Sequence, residues 1–232
     1  MVRAPASADA AGKAAAVLPI GSFEQHGPHL PLATDTLIAC EIARRCAEAH
    51  DLLLLPPITF SCSHEHAAFP GTISLRATTL VRLIDEICAD LQRQGIAKVV
   101  IVNAHGGNNV LVNFAQEANR DRRRVLLYPT SAHWTDARQA AGCATSNHQD
   151  MHGGELETSI LLSIDADLVR AGWETADHEA DDRSLLTLLG MAEYTASGVI
   201  GRPSLATPDK GTALLESIVT GLSDPLKRLL ED

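Results

Sequence analysis

The feature that most constrains this chain is the alternation of short, unbroken apolar runs with stretches of helical periodicity. Residues 98–103 read KVVIVN, with four apolar residues in a row. A strand with one face in water alternates apolar and polar residues. A strand that is apolar throughout is covered on both faces, as in a parallel sheet flanked by helices. The same character marks 15–21 (AAVLPIG), 51–58 (DLLLLPPI, closed by its prolines) and 125–128 (VLLY). Between these runs, 35–50 carries Ile38, Ile42, Ala43 and Cys46 on one side. Residues 79–94 carry Leu80, Leu83, Ile84, Ile87 and Leu91 at helical spacing and stop at Gly95. Helices are also expected over 109–120, 155–164 and 209–230. Strand alternating with helix predicts an α/β fold with a mostly parallel sheet covered on both faces.

Composition supports one globular unit. The 232 residues are 45% apolar and 21% charged, enough for a substantial core. We read 1–232 as a single domain, with 1–14 as a loose N-terminal lead lacking the apolar stretch of a signal peptide. No apolar run reaches the roughly 18 residues of a membrane span. The balance of 19 basic against 29 acidic residues, net −10, disfavours nucleic acid and anionic membranes as partners. The short basic cluster of Arg120, Arg122, Arg123 and Arg124 reads as a solvated helix end. Five cysteines, an odd number with no CxxC pair, point away from a disulfide framework and toward a reducing, cytoplasmic setting.

Ligands of such sheets gather at the carboxyl ends of the strands, and there the sequence concentrates its chemistry. After AVLPIG comes SFEQHGPHLPLATD, after LLLLPPI comes TFSCSHEHAAFPGT, and after KVVIVN comes AHGGNN. The run after VLLYP ends in DMHGGELETS. Glu24 and His26, two apart, share one side of an extended segment. Asp35 reads either as a helix N-cap or as a carboxylate able to bridge two ions. His105 stands at a strand tip, followed by glycines that let the backbone crowd a metal or substrate. Glu155 and Glu157 open a helix, where acids are favoured in any case. Jointly, Glu24, His26, Asp35, His105 and Glu157 supply five ligands, with Asp35 able to serve twice. That inventory suits a two-metal hydrolytic site whose cations share a hydroxide and polarise a carbonyl oxygen. The ions expected are two divalent metals per chain, Zn²⁺ or Mn²⁺, with Fe²⁺ a further candidate. His152 is the expected catalytic group, protonating a leaving nitrogen. His29 and His66 are candidates for orienting roles. Two other classes compete: a metal-binding assembly protein on the same fold, and a thiol hydrolase using Cys62.

The blocks GSFEQHGPHLPLATDT, FPGTISL, NAHGGN and HGGELETS, in that order, resemble the creatininase (creatinine amidohydrolase) family over residues 18–162, with GVIG at 198–201 fitting as well. The resemblance implies a three-layer α/β/α fold, a binuclear metal centre and hydrolysis of an amide C–N bond. It also implies a homo-oligomer, with a hexamer favoured. It places Glu24 on one metal and His26 on the other, Asp35 between them, and His105 as the histidine after the central strand. Creatinine-hydrolysing members carry a glutamate two residues after that histidine, where this chain has Gly107. They also carry a tryptophan shortly before the position of His152. The HGGN branch draws its last carboxylate from the ETS glutamate, here Glu157, with Glu155 as the substitute. That branch resembles the peptidase acting on the mycofactocin precursor, so a small-molecule or short-peptide amide is the expected substrate. Creatinine hydrolysis and formamide deformylation are the alternatives.

Overall fold

The computed structural model describes Ala6 and residues 10–231. Of the lead expected at 1–14, residues 1–5 and 7–9 lie outside the described residues. Ala10 packs against the core and Lys13 pairs with Asp51.

Among the described residues the sheet has four parallel strands: β1 (Ala16–Ile20), β2 (Leu53–Leu54), β3 (Val99–Asn103) and β4 (Val125–Tyr128), in the order β2-β1-β3-β4. β1 and β3 pair along their full length, from Ala16 opposite Val99 to Ile20 opposite Asn103. Side chains alternate between the two faces of each strand. Val17, Val100 and Val102 face one core with Ile38, Ile42, Ile160, Leu214 and Ile218. Ala16, Leu18, Ile20, Val99 and Ile101 face the other, with Leu80, Ile84, Leu111 and Phe114. The first core is roofed by α1 (Thr34–His50), α5 (Glu155–Ile164), α7 (Pro208–Gly221) and α8 (Ser223–Leu230). The second is roofed by α2 (Ala77–Arg93) and α3 (Val110–Ala118). The result is the three-layer α/β/α arrangement that two-faced apolar strands require.

Three departures from the sequence reading have local causes. The strand expected over 51–58 is reduced to Leu53–Leu54, because Pro56 and Pro57 offer no N–H to the ladder. Pairing resumes only as a single bridge at Ile58. The closing helix expected over 209–230 is two helices. Pro225 sits in the first turn of α8, where its missing N–H is harmless, but it cannot continue α7. A helix absent from the reading, α4 (Ser131–Ala140), runs through SAHWTDARQA. That segment has no apolar stripe, and Thr130 with His133 starts it as a capping box.

The strand order locates the crevice. From β1 the chain crosses to β2 on one side, and from β2 it returns to β3 on the other. The loops leaving β1 and β3 therefore diverge and open a space at their carboxyl ends. The end of β1 is pressed onto α1: a Cβ on Gly21 would lie 2.3 Å from the Thr36 nitrogen. Only glycine permits that approach, and it brings the first turn of α1 to the crevice.

Candidate metal centre

Five side chains from four segments meet there. Glu24 and His26 come from the loop after β1, Asp35 from the first turn of α1, His105 from the loop after β3, and Glu157 from the first turn of α5. Glu24, His26, Asp35 and His105 are buried, and Glu157 is mostly so. Asp35 does not cap its helix, since no side chain does so at that end. Its carboxylate instead lies between two imidazoles. Oδ1 is 3.0 Å from His26 Nε2 and Oδ2 is 2.9 Å from His105 Nδ1. Ser22 Oγ donates to Oδ2 at 2.7 Å and orients the group.

Besides a group made by Glu24, His26 and His152, the remaining contacts form two triads that share Asp35. In one, Glu24, Asp35 and His105 place a ligand atom each within 4.8 Å of one another; in the other, His26, Asp35 and Glu157 do so. Glu24 Oε1 is 3.2 Å from His105 Nδ1, and Glu157 Oε1 is 3.8 Å from His26 Nε2. Each imidazole is tied at its outer nitrogen to a backbone carbonyl. His26 Nδ1–H donates to the Glu24 carbonyl at 3.0 Å, and His105 Nε2–H donates to the Cys62 carbonyl at 2.7 Å. Those bonds turn the lone pairs of His26 Nε2 and His105 Nδ1 toward carboxylates. A lone pair facing a carboxylate repels it unless a proton or a metal cation stands between them, and histidines that ligate metals are usually anchored in this way through the other ring nitrogen.

Glu24 carries the clearest sign. Neither of its oxygens has a hydrogen-bond partner although the side chain is fully buried. His105 Nδ1, His66 Nε2 and His152 Nδ1 lie 3.2, 3.3 and 3.9 Å from Oε1, out of bonding alignment. Burial opposes a charge there, and what offsets it is the neighbouring imidazoles, chiefly His105, or an ion in their place. The residues therefore fit a pair of divalent cations.

Without an ion, protons take that place. Burial alone would push the Asp35 carboxyl upward, but His26 and His105 hold it well below the usual carboxylate range. Burial opposes charge on His26, yet Asp35 and Glu157 raise it to about 10. Glu157 is pushed up to about 7, by burial first and the Asp35 charge next. His152 moves the other way, well below the ordinary histidine value, through burial and then the neighbouring His26.

The structure separates the two helix-opening glutamates. Glu155 turns away from the crevice to the Ala144 and Thr145 amides, the Thr145 hydroxyl (2.6 Å) and Lys210 Nζ (2.6 Å). It is a structural acid, and Glu157 is the one that reaches the crevice. His152 lies against the cluster. Its backbone pairs with Ile200 in an antiparallel bridge, so the GVIG segment holds it in place. Its Nε2–H donates to the Gln25 carbonyl, leaving Nδ1 toward Glu24. His66 Nδ1 accepts from Gln25 Nε2 at 2.9 Å, so its Nε2–H faces Glu24. His29 is buried against Thr158 Oγ1, away from the cavity lining. Cys62 contributes its carbonyl to His105, and burial pushes its thiol up, so it is not a poised nucleophile.

Other contributors were invisible in the motifs. Gln25 orients His66. Asn108 accepts from the Cys62 amide and donates to Asn103 Oδ1, stitching the loop after β3 to the neighbouring one. Glu65 reaches the same crevice. Two asparagines flanking His105 are a signal of such stitching; nothing in the sequence singles out Gln25 or Glu65. A cavity of about 630 Å³ opens over the cluster, lined by Glu24, Asp35, Glu65, His105, His152 and Leu188 among others. A second, of about 350 Å³, adjoins it across Ala104–Gly106 and includes Trp134 and Glu157.

A four-stranded parallel sheet with an acid-and-imidazole cluster at its switch point defines a class of metal-site α/β proteins. Within that class, the family model described as creatinine amidohydrolase matches residues 3–226. The chain belongs to the creatininase family. It is 33% identical over 226 residues to the mycofactocin precursor peptide peptidase of Mycolicibacterium smegmatis, covering 93% of this chain and 85% of that protein. It is 27% identical over 236 residues to the creatinine amidohydrolase of Pseudomonas putida, covering 94% and 90%. A solved structure described as "Creatininase Mn" superimposes with a TM-score of 0.80 at 26% identity, covering 97% of this chain and 94% of that one.

Proposed function

We propose that this protein is a binuclear, divalent-metal-dependent amidohydrolase that cleaves an amide C–N bond in a small molecule or short peptide. The observation that carries the reading is the pair of ligand triads sharing Asp35, with an unpartnered buried carboxylate in one of them. Glu24, Asp35 and His105 would hold one ion, and His26, Asp35 and Glu157 the other. Zn²⁺ and Mn²⁺ suit this mixed oxygen and nitrogen donor set. Bound there, such ions polarise a carbonyl oxygen and lower the pKa of water toward neutrality.

The protein's own groups do the rest. Ser22 and the two carbonyl-anchored histidines fix the geometry in advance, so little reorganisation accompanies the reaction. His152 presents Nδ1 to the cluster because Nε2–H is given to the Gln25 carbonyl, so it can take a proton from the attacking water there and return it to the leaving nitrogen. Likeness to the mycofactocin precursor peptide peptidase supports a peptide-like substrate. Space on both sides of the cluster supports it as well, since a formyl group would leave one side empty. The free cysteines favour a reducing cytoplasm. Among the described residues no helix is long and apolar enough to cross a membrane. We infer a homo-oligomer, a hexamer by family resemblance.

The test is metal analysis of purified protein, with a panel of creatinine, formamides and short peptides assayed under Zn²⁺ and Mn²⁺. Near two transition metals per chain and chelator-sensitive turnover are expected. Full turnover in metal-free protein would falsify the mechanism. His152→Ala should keep its metals while turnover falls roughly 10²–10⁴-fold; ordinary turnover in that variant would remove the proton-transfer role.

A further inference from the structure

Glu65 is the carboxylate in the larger cavity that neither triad uses. It sits in a single helical turn, His64–His66, and lines the cavity with Glu24, Asp35 and His105. Its side chain is only 21% exposed. The nearest nitrogen able to carry charge is His105 Nε2 at 3.9 Å, whose proton is already given to the Cys62 carbonyl. Among the described residues no lysine or arginine lines this cavity.

Its position is built, not incidental. A Cβ on Gly107 would lie 2.1 Å from Glu65 Oε1, so any other residue there would evict the carboxylate. From behind, a Cβ on Gly190 would stand 3.1 Å from the Glu65 carbonyl, so the end of α6 (Leu186–Leu189) leans on the same turn. Leu186, Leu188 and Leu189 line the cavity beside it, and Leu188 is 75% exposed. The wall across from the ligand cluster thus presents an anionic point next to an uncovered apolar patch. Glu24, Asp35 and Glu157 would offset three of the four positive charges of two divalent ions, and Glu65 is a further carboxylate faced, among the described residues, only by the imidazoles of His105 and His64.

We propose that Glu65 selects substrates bearing a protonated amine, binding the ammonium while the leucines of α6 cover the apolar skeleton beside it. The substrate class is an amide with an ammonium near an aliphatic or aromatic group, as in amino-acid amides and short peptides. A neutral ring or a plain formamide lacks that charge. The inference rests on the amidohydrolase reading of the same site and adds its specificity.

Two probes isolate the charge: leucinamide, and 4-methylpentanamide, which has the same skeleton without the amine. Calorimetric titration of the metal-loaded protein should show leucinamide binding about tenfold tighter or more. Glu65→Gln should erase that preference with metal content unchanged, and Glu65→Asp should keep part of it. Equal binding by the unaltered protein overturns the proposal, as does a preference that survives Glu65→Gln. Loss of metal in Glu65→Gln overturns it too, by making the group a ligand. Failure of the amidohydrolase reading is seen elsewhere, in a chain that holds no metal or cleaves no amide in the panel.

Discussion

Two sets of buried carboxylates flank the start of α5, and they are satisfied in opposite ways. On one side, Asp150 accepts from the Glu155 and Leu156 amides at 2.6 and 2.9 Å and pairs with Arg138 at 2.9 Å. Glu155 beside it is held by Lys210, the Thr145 hydroxyl and two amides. On the other side, Glu24 has no hydrogen bond at all, and Asp35 faces two imidazoles with Ser22 as its one hydroxyl donor. Both sets are out of solvent, so burial does not separate them. The difference is that the first set is closed by arginine, lysine and amide donors, while the second faces imidazoles whose inner nitrogens could hold either a proton or a metal ion. A structural acid and a ligand acid are told apart by what is missing around them.

This contrast can be broken by substitution. The largest effect is expected at Asp35: Asp35→Ala should weaken both metal sites by more than roughly 100-fold, since even the partners of ligands are worth 10–100-fold. Asp150→Asn should leave metal occupancy intact and cost about 3 kcal/mol of stability, because Arg138 stays buried without its counter-charge, keeping only the Asn147 and Thr145 side-chain oxygens and the backbone carbonyl of residue 150. Metal titration and urea unfolding of both variants check the pair. Should Asp150→Asn empty the metal sites, the two sets are one functional unit and the division is wrong.

A smaller effect is expected at Glu24. Burial opposes its charge, but His105 and His66 hold the carboxyl below its ordinary value, so Glu24→Gln should lower stability by on the order of 1 kcal/mol in chelator-treated protein. In metal-loaded protein the loss should be larger. Equal losses in both conditions would show that Glu24 holds no ion.

The smallest effects lie in pH dependence, and again the two glutamates of α5 diverge. Burial raises Glu155, but Lys210 and Thr145 outweigh it and hold the group below its ordinary 4.5. Its contribution to stability is therefore present above pH 4.5 and lost as pH falls through the depressed value. Glu157, raised to about 7, behaves inversely. Its contribution is present below pH 4.5 and lost as pH rises through about 7. In metal-free protein, Glu155→Gln should become less harmful in acid, whereas Glu157→Gln should become stabilising above pH 7. Unfolding curves from about pH 2 to pH 8 decide it; parallel profiles for the two variants would contradict the assignment.

Much of this was legible before any coordinates. KVVIVN announces a strand buried on both faces, and the rule that ligands gather past such strands selects Glu24, His26 and His105 together. Asp35 and Glu157 were harder, because an acid in a first helical turn has an adequate explanation in the helix itself. Their side chains are distinguished by what faces them, which is long-range information. The choice between Glu155 and Glu157 needed Lys210, distant in sequence and brought in by α7. Helix α4 was not legible because its stability comes from a cap and from neighbours. Glu65 escaped notice because the space that accommodates it belongs to Gly107, a residue without a side chain.

The wide separation of the ligands along the chain has a consequence for biogenesis. Each triad needs side chains from segments that adjoin only after the sheet has formed and α5 has docked, and the second is incomplete until residue 157 has left the ribosome. Unlike the ion of a zinc finger, which nucleates its own fold, a cation bound here could not guide the young polypeptide. It would arrive at a finished receptacle, so metallation would report that maturation has succeeded.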